Sequence, residues 1–328
     1  PNTHAAYEWG KKRDPSRPVQ YEGSTYWGGR GISTDILSRM YLQVQDFDRV
    51  MEIWPDKPFM LVEYTHAMGN SNGNLEAYWE RIWNNPRILG AFVWDWMDQG
   101  LREPVPHGIP DPFGRTAFLA YGGWWEERLG RYHSGNFCMN GLIRADWGTK
   151  PGLRALKHVQ QPFAASLEDG ILYLENRYDF TDLGEVADLR WVRHMEGREA
   201  ASGTVSLPAI PPGARVPVTL PDAALGAATA GETWLDLSVR TRRADALLEA
   251  GYELGFAQFH LGGNWSPPSP DADSGTLSLE ETASGIRLSG TGWDMRFSRE
   301  TGGLDSWKVG GRELLQAGPS PDFWRAPT

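Results

Sequence analysis

The sequence predicts a multidomain fold in which a parallel α/β part is followed by two all-β parts. Three observations lead to this prediction. Up to about Phe163, short apolar strands alternate with helix-like segments, which is typical of βαβ units. After Pro162, short segments alternate apolar and polar residues between turns, which is typical of an antiparallel sandwich. A bridge rich in Gly, Pro, Ser and Asp, residues 262–274, then separates two such all-β parts.

The α/β part is predicted to contain four strands with helices between them. The four strand-like runs are Pro18–Glu22, Asp35–Tyr41, Phe59–Tyr64 and Gly90–Trp96. Between the last two, apolar residues recur at helical spacing from Leu75 to Ile82, behind a candidate Asn cap. Helices between strands indicate a parallel sheet, and four such units make half of an eight-stranded barrel. The Pro-, Gly- and aromatic-rich segment Gly100–Gly135 is predicted to be an active-site loop.

The remaining strands are predicted by alternation and by turn signals about 8–12 residues apart. In the first all-β part they are Leu172–Asp179, Ala187–Val192, Val216–Leu220 and Thr233–Val239. In the second they are Leu277–Leu279, Ile286–Leu288, Trp293–Phe297 and Leu304–Val309. We therefore expect a barrel part over 1–161, a sandwich over 162–262, a linker over 263–274 and a further β-domain over 275–328.

Composition narrows the class of ligand. The formal charge of −10, without a basic run, argues against a nucleic-acid partner. Sixteen Trp, 11 Tyr and 12 Phe residues supply flat aromatic faces of the kind that pack against sugar rings. Cys138 is the only cysteine, so no internal disulfide can form and a cytoplasmic location fits. No run approaches the ~18 apolar residues of a membrane span. We expect a neutral ligand and no membrane partner.

Glu63 is the leading candidate for a catalytic acid. It ends the apolar run Phe59–Val62, and catalytic side chains of parallel barrels cluster at the carboxyl ends of strands. A surface acid paired with Lys or Arg is the alternative, because most acids are of that kind. Glu22 ends another predicted strand and is the main rival. By residue type alone, His66 would be a structural histidine and Trp94 a core tryptophan.

Several motifs match one family in order along almost the whole chain. They are RDPSRPVQYEG (13–23), MY (40–41), VEYTHAMGNS (62–71), GAFVWDWMDQ (90–99), YGG (121–123), NFCMNGL (136–142) and FWRAPT (323–328). With these motifs the sequence resembles the large bacterial β-galactosidases of glycoside hydrolase family 2. Several independent motifs in one order are far more specific than a single short match.

The resemblance implies the second half of a (β/α)8 TIM barrel, an immunoglobulin-like β-sandwich and the start of a terminal β-sandwich domain of the small-chain type. The implied reaction is hydrolysis of terminal β-D-galactosides, of the lactose or aryl type, with retention.

The resemblance also assigns roles to particular residues. Glu63 matches the nucleophile, and Tyr41 matches a tyrosine that assists its departure. His66 matches a residue that binds sugar hydroxyls, and Trp94 matches the floor under the galactosyl ring. Two further substrate-binding residues, Phe137 through its backbone oxygen and Asn140, match part of a sodium site; without the resemblance, Asn140 would be a helix or turn cap.

The sequence also departs from the family pattern. The acid/base Glu, the Glu and His ligands of the Mg²⁺ site and the Asp ligand of the Na⁺ site match positions before residue 1, so both metal sites are incomplete. We expect an internal piece of a homo-oligomeric enzyme that is inactive in isolation. The run Trp124–Gly135 differs from the family's acidic run, so the resemblance does not give the shape of the leaving-group side. Asp95 and Asp98 are predicted to hold the loops after the last strand.

Two alternatives stay open. One is another family 2 glycosidase, a β-glucuronidase or a β-mannosidase. A glucuronidase should place basic residues against the substrate carboxylate, and few lie near Glu63 in the sequence. The other alternative is a non-catalytic carbohydrate-binding fragment.

Overall fold

The structure is a computed structural model that describes residues 2–26, 30–69, 71–109, 111, 114–125, 133–226, 231–264 and 277–321. The chain forms two compact units, built on Pro1–Gly263 and on Asn264–Arg325. The first unit contains the α/β part and a β-sandwich, and the second is a β-sheet.

The α/β part is built on a three-stranded parallel sheet. Its strands are β1 (Leu37–Met40), β2 (Phe59–Tyr64) and β3 (Ile88–Val93), paired in the order β1-β2-β3. Its helices are α1 (Asn2–Arg13), α2 (Phe47–Ile53), α3 (Leu75–Trp83) and α4 (Pro151–Val159). Since α2 and α3 connect successive parallel strands, the predicted βαβ arrangement is confirmed. The carboxyl ends of all three strands therefore lie along one edge of the sheet.

The strand predicted at Pro18–Glu22 is wrong. Only a single parallel bridge, Gln20 to Ile36, forms there, and Glu22 begins a short 3₁₀ turn. Side chains take the hydrogen bonds that a strand partner would make: Val19 N–H donates to the Asp35 carboxylate and Tyr21 N–H to the Thr34 hydroxyl. The segment is thus anchored by side chains and does not extend the sheet as a strand.

Helix α3 confirms the predicted periodicity. Its apolar residues Leu75, Tyr78, Trp79 and Ile82 are all buried in the core of the α/β part. The expected Asn cap is wrong, because Asn74 adopts a left-handed conformation and its side chain makes no capping hydrogen bond. An N-cap side chain reaches the first turn from an extended backbone, which Asn74 lacks.

Strand β2 fixes the orientation of Glu63. Phe59, Leu61 and Tyr64 are fully or almost fully buried against the helices, and the Tyr64 hydroxyl accepts a hydrogen bond of 2.9 Å from the Trp79 indole. These three side chains pack into the core, whereas Glu63, near the end of the strand, is only partly buried.

The sandwich consists of two antiparallel sheets. Its strands are β6 (Phe163–Glu168), β7 (Ile171–Asn176), β8 (Ala187–Met195), β9 (Arg198–Ser206), β10 (Arg215–Val218), β11 (Thr233–Thr241) and β12 (Glu253–Gly262). The sheet orders are β10-β7-β6 and β12-β11-β8-β9, with the one-turn helices α5 (Leu183–Val186) and α6 (Asp222–Leu225) between strands. Inward-facing apolar residues such as Leu172, Leu189 and Leu235 are fully buried. The predicted all-β sandwich is confirmed.

The second unit is a five-stranded antiparallel sheet. Its strands are β13 (Ser278–Glu281), β14 (Gly285–Gly290), β15 (Trp293–Ser298), β16 (Leu304–Val309) and β17 (Arg312–Glu313), paired in sequence order. All four strands predicted here are present. The greater part of the expected linker, 265–274, and the run FWRAPT lie outside the described residues.

The long segment Gly100–Gly135 is partly regular. It contains a hairpin of β4 (Leu101–Pro104) and β5 (Ala117–Ala120), whereas residues 126–132 of the divergent run lie outside the described part of the chain. No helix in the described ranges is both long and apolar enough to cross a membrane.

Candidate active site

Glu63 and Tyr41 lie side by side at the carboxyl ends of adjacent parallel strands. Met40, the last residue of β1, pairs with Glu63, and the backbone N–H of Tyr41 donates to the Glu63 carbonyl at 2.8 Å. Tyr41 has a φ of 51°, so the chain leaves the sheet at this residue. Its hydroxyl lies beside the Glu63 carboxylate, within reach of a hydrogen bond to it. The register of β1 and β2 thus brings the two predicted catalytic residues together.

The electrostatics of Tyr41 keep its phenol protonated. Partial burial raises the pKa of Tyr41 well above its usual value, and the Glu63 carboxylate raises it further by accepting the hydrogen bond. The negative charges of Glu63 and Asp95 act in the same direction. At neutral pH Tyr41 is therefore a hydrogen-bond donor aimed at a carboxylate.

His66 faces the same region from the loop after β2. Its ring centroid lies 6.3 Å from that of Tyr41 and 5.4 Å from that of Phe137. The loop is held by its own polar side chains, since Asn72 donates to the Thr65 carbonyl at 2.6 Å and Ser71 to the His66 carbonyl. His66 Nε2 is buried and has no hydrogen-bond partner among the described residues. Such an atom is destabilising unless a ligand satisfies it.

Backbone hydrogen bonds bring Trp94 and Asn140 to this edge. Trp94 N–H donates to the Tyr64 carbonyl at 3.2 Å, and Ala67 N–H donates to the Trp94 carbonyl at 2.7 Å. Asp95 N–H donates to the Asn140 carbonyl at 2.8 Å. Trp94, joined to Asp95 by a cis peptide bond, leaves 37% of its surface exposed. The structure thus gathers all six predicted site residues near the ends of β1, β2 and β3.

Asn140 contrasts with Phe137 in its burial. Phe137 is 56% exposed, whereas Asn140 is 2% exposed and its side-chain Oδ1 has no partner in the described part of the chain. A buried free amide oxygen suits a hydroxyl donor or a hard cation. Asn140 therefore fits its predicted place in a sodium site.

Magnesium has no comparable support. Nowhere in the described ranges do three or more His, Cys, Asp or Glu side chains cluster closely enough to hold a metal ion. The residues that the structure describes thus do not form a Mg²⁺ site by themselves.

The other acids have different surroundings. Glu22, the rival to Glu63, lies in a 3₁₀ turn. Its negative charge stabilises the positive charge of the buried Arg39. Asp98 accepts hydrogen bonds from Gly141 N–H and Lys150, in line with the structural role predicted for it.

Sequence reasoning missed two features of the site. One is the charge of Asp95 near the Tyr41 hydroxyl. It could have been predicted from the position of Asp95 just past β3, at the same edge of the sheet as Glu63. The other is Lys150, which no motif points to.

Comparison with known proteins identifies the family. Residues 1–165 match the model described as glycosyl hydrolases family 2, TIM barrel domain. Residues 172–262 match β-galactosidase, domain 4, and residues 289–328 match the β-galactosidase small chain. The chain belongs to glycosyl hydrolase family 2. The predicted resemblance and the predicted succession of barrel part and β-sandwiches are thereby confirmed.

Curated relatives of this family 2 chain are β-galactosidases. The protein of Priestia megaterium is 34% identical over 331 residues, that of Actinobacillus pleuropneumoniae 32% over 335, and that of Klebsiella pneumoniae 33% over 343. These alignments cover 99–100% of this chain but only 31–32% of the relatives, so the chain spans about a third of their length.

Among solved structures, β-glucuronidase of Parabacteroides merdae aligns with 91% of this family 2 chain and 37% of its own. Its TM-score of 0.30 and identity of 10% carry no argument about function.

Proposed function

We propose that the intact protein hydrolyses terminal β-D-galactosides with retention of configuration and that Glu63 is its nucleophile. The observation that carries the proposal is the position of the Tyr41 hydroxyl beside the Glu63 carboxylate at the carboxyl ends of two parallel strands. A carboxylate at this edge, oriented by a neutral donor, suits covalent glycoside chemistry.

The reaction would proceed in two steps. The ionised Glu63 attacks the anomeric carbon as the bond to the leaving oxygen breaks, while a second carboxyl group protonates that oxygen. Water, deprotonated by the same second group, then displaces Glu63 from the glycosyl-enzyme. Tyr41 stabilises the carboxylate as it departs, because its hydroxyl donates to the oxygen that regains negative charge.

The sugar-binding side of the proposal rests on unsatisfied polar atoms. His66 Nε2 and Asn140 Oδ1 are buried without partners among the described residues. A sugar hydroxyl can donate to Asn140 Oδ1, and it can either donate to or accept from His66 Nε2. The partly exposed indole of Trp94 offers an apolar face for the ring carbons. A sugar bound beside these atoms would supply hydrogen bonds that the free protein lacks.

A sodium ion belongs to this proposal as an expectation. Asn140 Oδ1 and the Phe137 carbonyl would hold it, and the ion would supply positive charge that orients a sugar hydroxyl. A cytoplasmic location and a homo-oligomeric intact enzyme also stay predictions.

Substrate choice and stereochemistry test the proposal together. The intact protein is incubated with the p-nitrophenyl β-glycosides of galactose, glucuronic acid and mannose, and ¹H NMR follows the first sugar anomer released. We expect the galactoside to react with the highest kcat/KM and to release β-galactose first, with no release by Glu63→Gln. Preference for the glucuronide or the mannoside, or first release of the α-anomer, would overturn the assignment.

A further inference from the structure

One buried carboxylate joins the two segments that carry Trp94 and Asn140. Asp98 is 5% exposed, and its Oδ1 accepts hydrogen bonds from Gly141 N–H at 2.7 Å and from Lys150 Nζ at 2.6 Å. Gly141 N–H belongs to the peptide group that links it to Asn140. The bond to Asp98 therefore fixes the backbone on the carboxyl side of Asn140.

The same two segments also pair through their backbones. Leu142 N–H donates to the Asp95 carbonyl at 2.9 Å, and Asp98 N–H donates to the Ile143 carbonyl at 2.9 Å. They approach so closely at Gly141 that an added Cβ would lie 2.1 Å from the Asp98 backbone nitrogen. Only glycine fits at position 141, so the position of Asn140 depends on the close approach of the Gly141 and Asp98 backbones.

Lys150 is the counter-ion that makes the Asp98 carboxylate tolerable. The Asp98 side chain is 4% exposed and the Lys150 side chain 22% exposed. If either side chain were removed, water could solvate the charge of the other only poorly. Arg144, also near Asp98, is held by Asp146 through two contacts of 2.9 and 3.0 Å. Removing one partner of a buried ion pair leaves an uncompensated charge, which is strongly destabilising locally.

We propose that Asp98 and Lys150 are positioning residues for sugar binding, which hold Asn140 so that its buried Oδ1 faces the ligand. This inference rests on the proposed function. It makes the Lys150–Asp98 pair a requirement for affinity, although neither residue touches the reacting atoms.

The experiment compares Lys150→Met, Asp98→Asn and the double variant in the intact protein. Lys150→Met leaves Asp98 charged, buried and unpaired, whereas asparagine at 98 is neutral and still offers Gly141 an acceptor. Lys57→Met is the matched control, because Lys57 is partly buried and donates to the Thr34 carbonyl at 2.7 Å far from Asn140 in sequence. Two readouts are used: deuterium exchange of the backbone amides of residues 139–143, and KM with kcat for an aryl β-galactoside.

We expect Lys150→Met to speed exchange at 139–143 and to raise KM roughly tenfold with a smaller change in kcat. The double variant should recover slow exchange and a KM within about threefold of wild type, because the unpaired charge is gone. A merely destabilising loss of Lys150 would speed exchange throughout the barrel part, whereas loss of positioning speeds it at 139–143 alone. Lys57→Met should change neither readout.

Two results would overturn the inference: unchanged exchange at 139–143 in Lys150→Met, or a KM that is the same for Lys150→Met and wild type. Failure to rescue in the double variant would also overturn it. If wild type does not hydrolyse the galactoside, the proposed function fails, while the exchange experiment still decides whether the pair holds Asn140.

Discussion

Two buried asparagines in this chain differ in how completely their side chains are hydrogen-bonded. In the sandwich, Asn176 is 1% exposed; its Nδ2 donates to the Thr181 and Ile210 carbonyls at 2.8 and 2.7 Å, and its Oδ1 accepts from Tyr178 N–H at 2.8 Å. At the strand ends, Asn140 is 2% exposed, yet its Oδ1 has no partner in the described residues.

The sandwich and the strand ends thus differ in whether their buried polar groups are fully hydrogen-bonded. Around Asn176 the hydrogen bonds are complete, so the residue stabilises the fold. Around Asn140 and His66 the hydrogen bonds are incomplete, and under the proposed function a bound sugar would complete them. The comparison predicts that substitutions at the strand ends reduce activity and that substitutions in the sandwich reduce stability.

The largest effect is expected from Glu63→Gln. Because the amide cannot act as a nucleophile, kcat for an aryl β-galactoside should fall by roughly 10⁴- to 10⁶-fold. The melting temperature should stay close to that of wild type, since Glu63 is only partly buried. A loss below tenfold, measured in the intact protein by steady-state kinetics, would place the nucleophile elsewhere.

Tyr41→Phe should have the next largest effect. It removes the donor to the departing carboxylate, and we expect kcat to fall about 100-fold or more. In wild type, the raised pKa of Tyr41 keeps the donor protonated from neutral pH to beyond its usual value of 10. The kcat profile of wild type should therefore show no alkaline loss attributable to Tyr41 below about pH 10. An alkaline limb near pH 8 that disappears in Tyr41→Phe would contradict this account.

The two asparagines provide the direct test of the comparison. Asn176→Ala should lower the free energy of unfolding by about 2–4 kcal/mol, because it removes three hydrogen bonds, those to the Thr181 carbonyl, the Ile210 carbonyl and the Tyr178 N–H. Asn140→Ala should change it by less than about 1 kcal/mol and weaken galactose binding about tenfold. Urea denaturation and a galactose inhibition constant give both values for both variants. If the two variants behave alike, the distinction between the regions is lost.

The smallest effect is expected from Glu22→Gln. Its carboxylate faces the buried Arg39, which keeps hydrogen bonds of 2.8 and 2.7 Å to the hydroxyl and carbonyl of Thr25 without it. We expect kcat/KM within about twofold of wild type, as for most substitutions outside a site. A loss comparable to that of Glu63→Gln would reverse the roles of the two acids.

The sequence predicted those parts of the fold that depend on local pattern. The apolar run Phe59–Val62 became the first four residues of β2, with Phe59 and Leu61 buried, and the helical spacing from Leu75 to Ile82 became the buried face of α3. The strand at Pro18–Glu22 failed because Asp35 and Thr34, distant in sequence, take its backbone hydrogen bonds.

The candidate site likewise contains residues that the sequence identifies and contacts that only the structure shows. Glu63 and Tyr41 could be chosen from motifs, and their contact follows from the register of two parallel strands. The Asp98–Lys150 pair could not be predicted, because its residues are 52 positions apart and belong to no shared pattern. Likewise, only coordinates show that the oxygen of Asn140 lacks a partner while that of Asn176 has one.

The central claim is that Glu63 forms the covalent bond to the sugar. The most direct measurement is to inactivate the intact protein with a 2-deoxy-2-fluoro-β-galactoside bearing a good leaving group, digest it and locate the added mass by tandem mass spectrometry. We expect one fluorogalactosyl group per chain, on Glu63. Attachment to Glu22, Asp95 or any other residue, or full activity with no attachment, would contradict it.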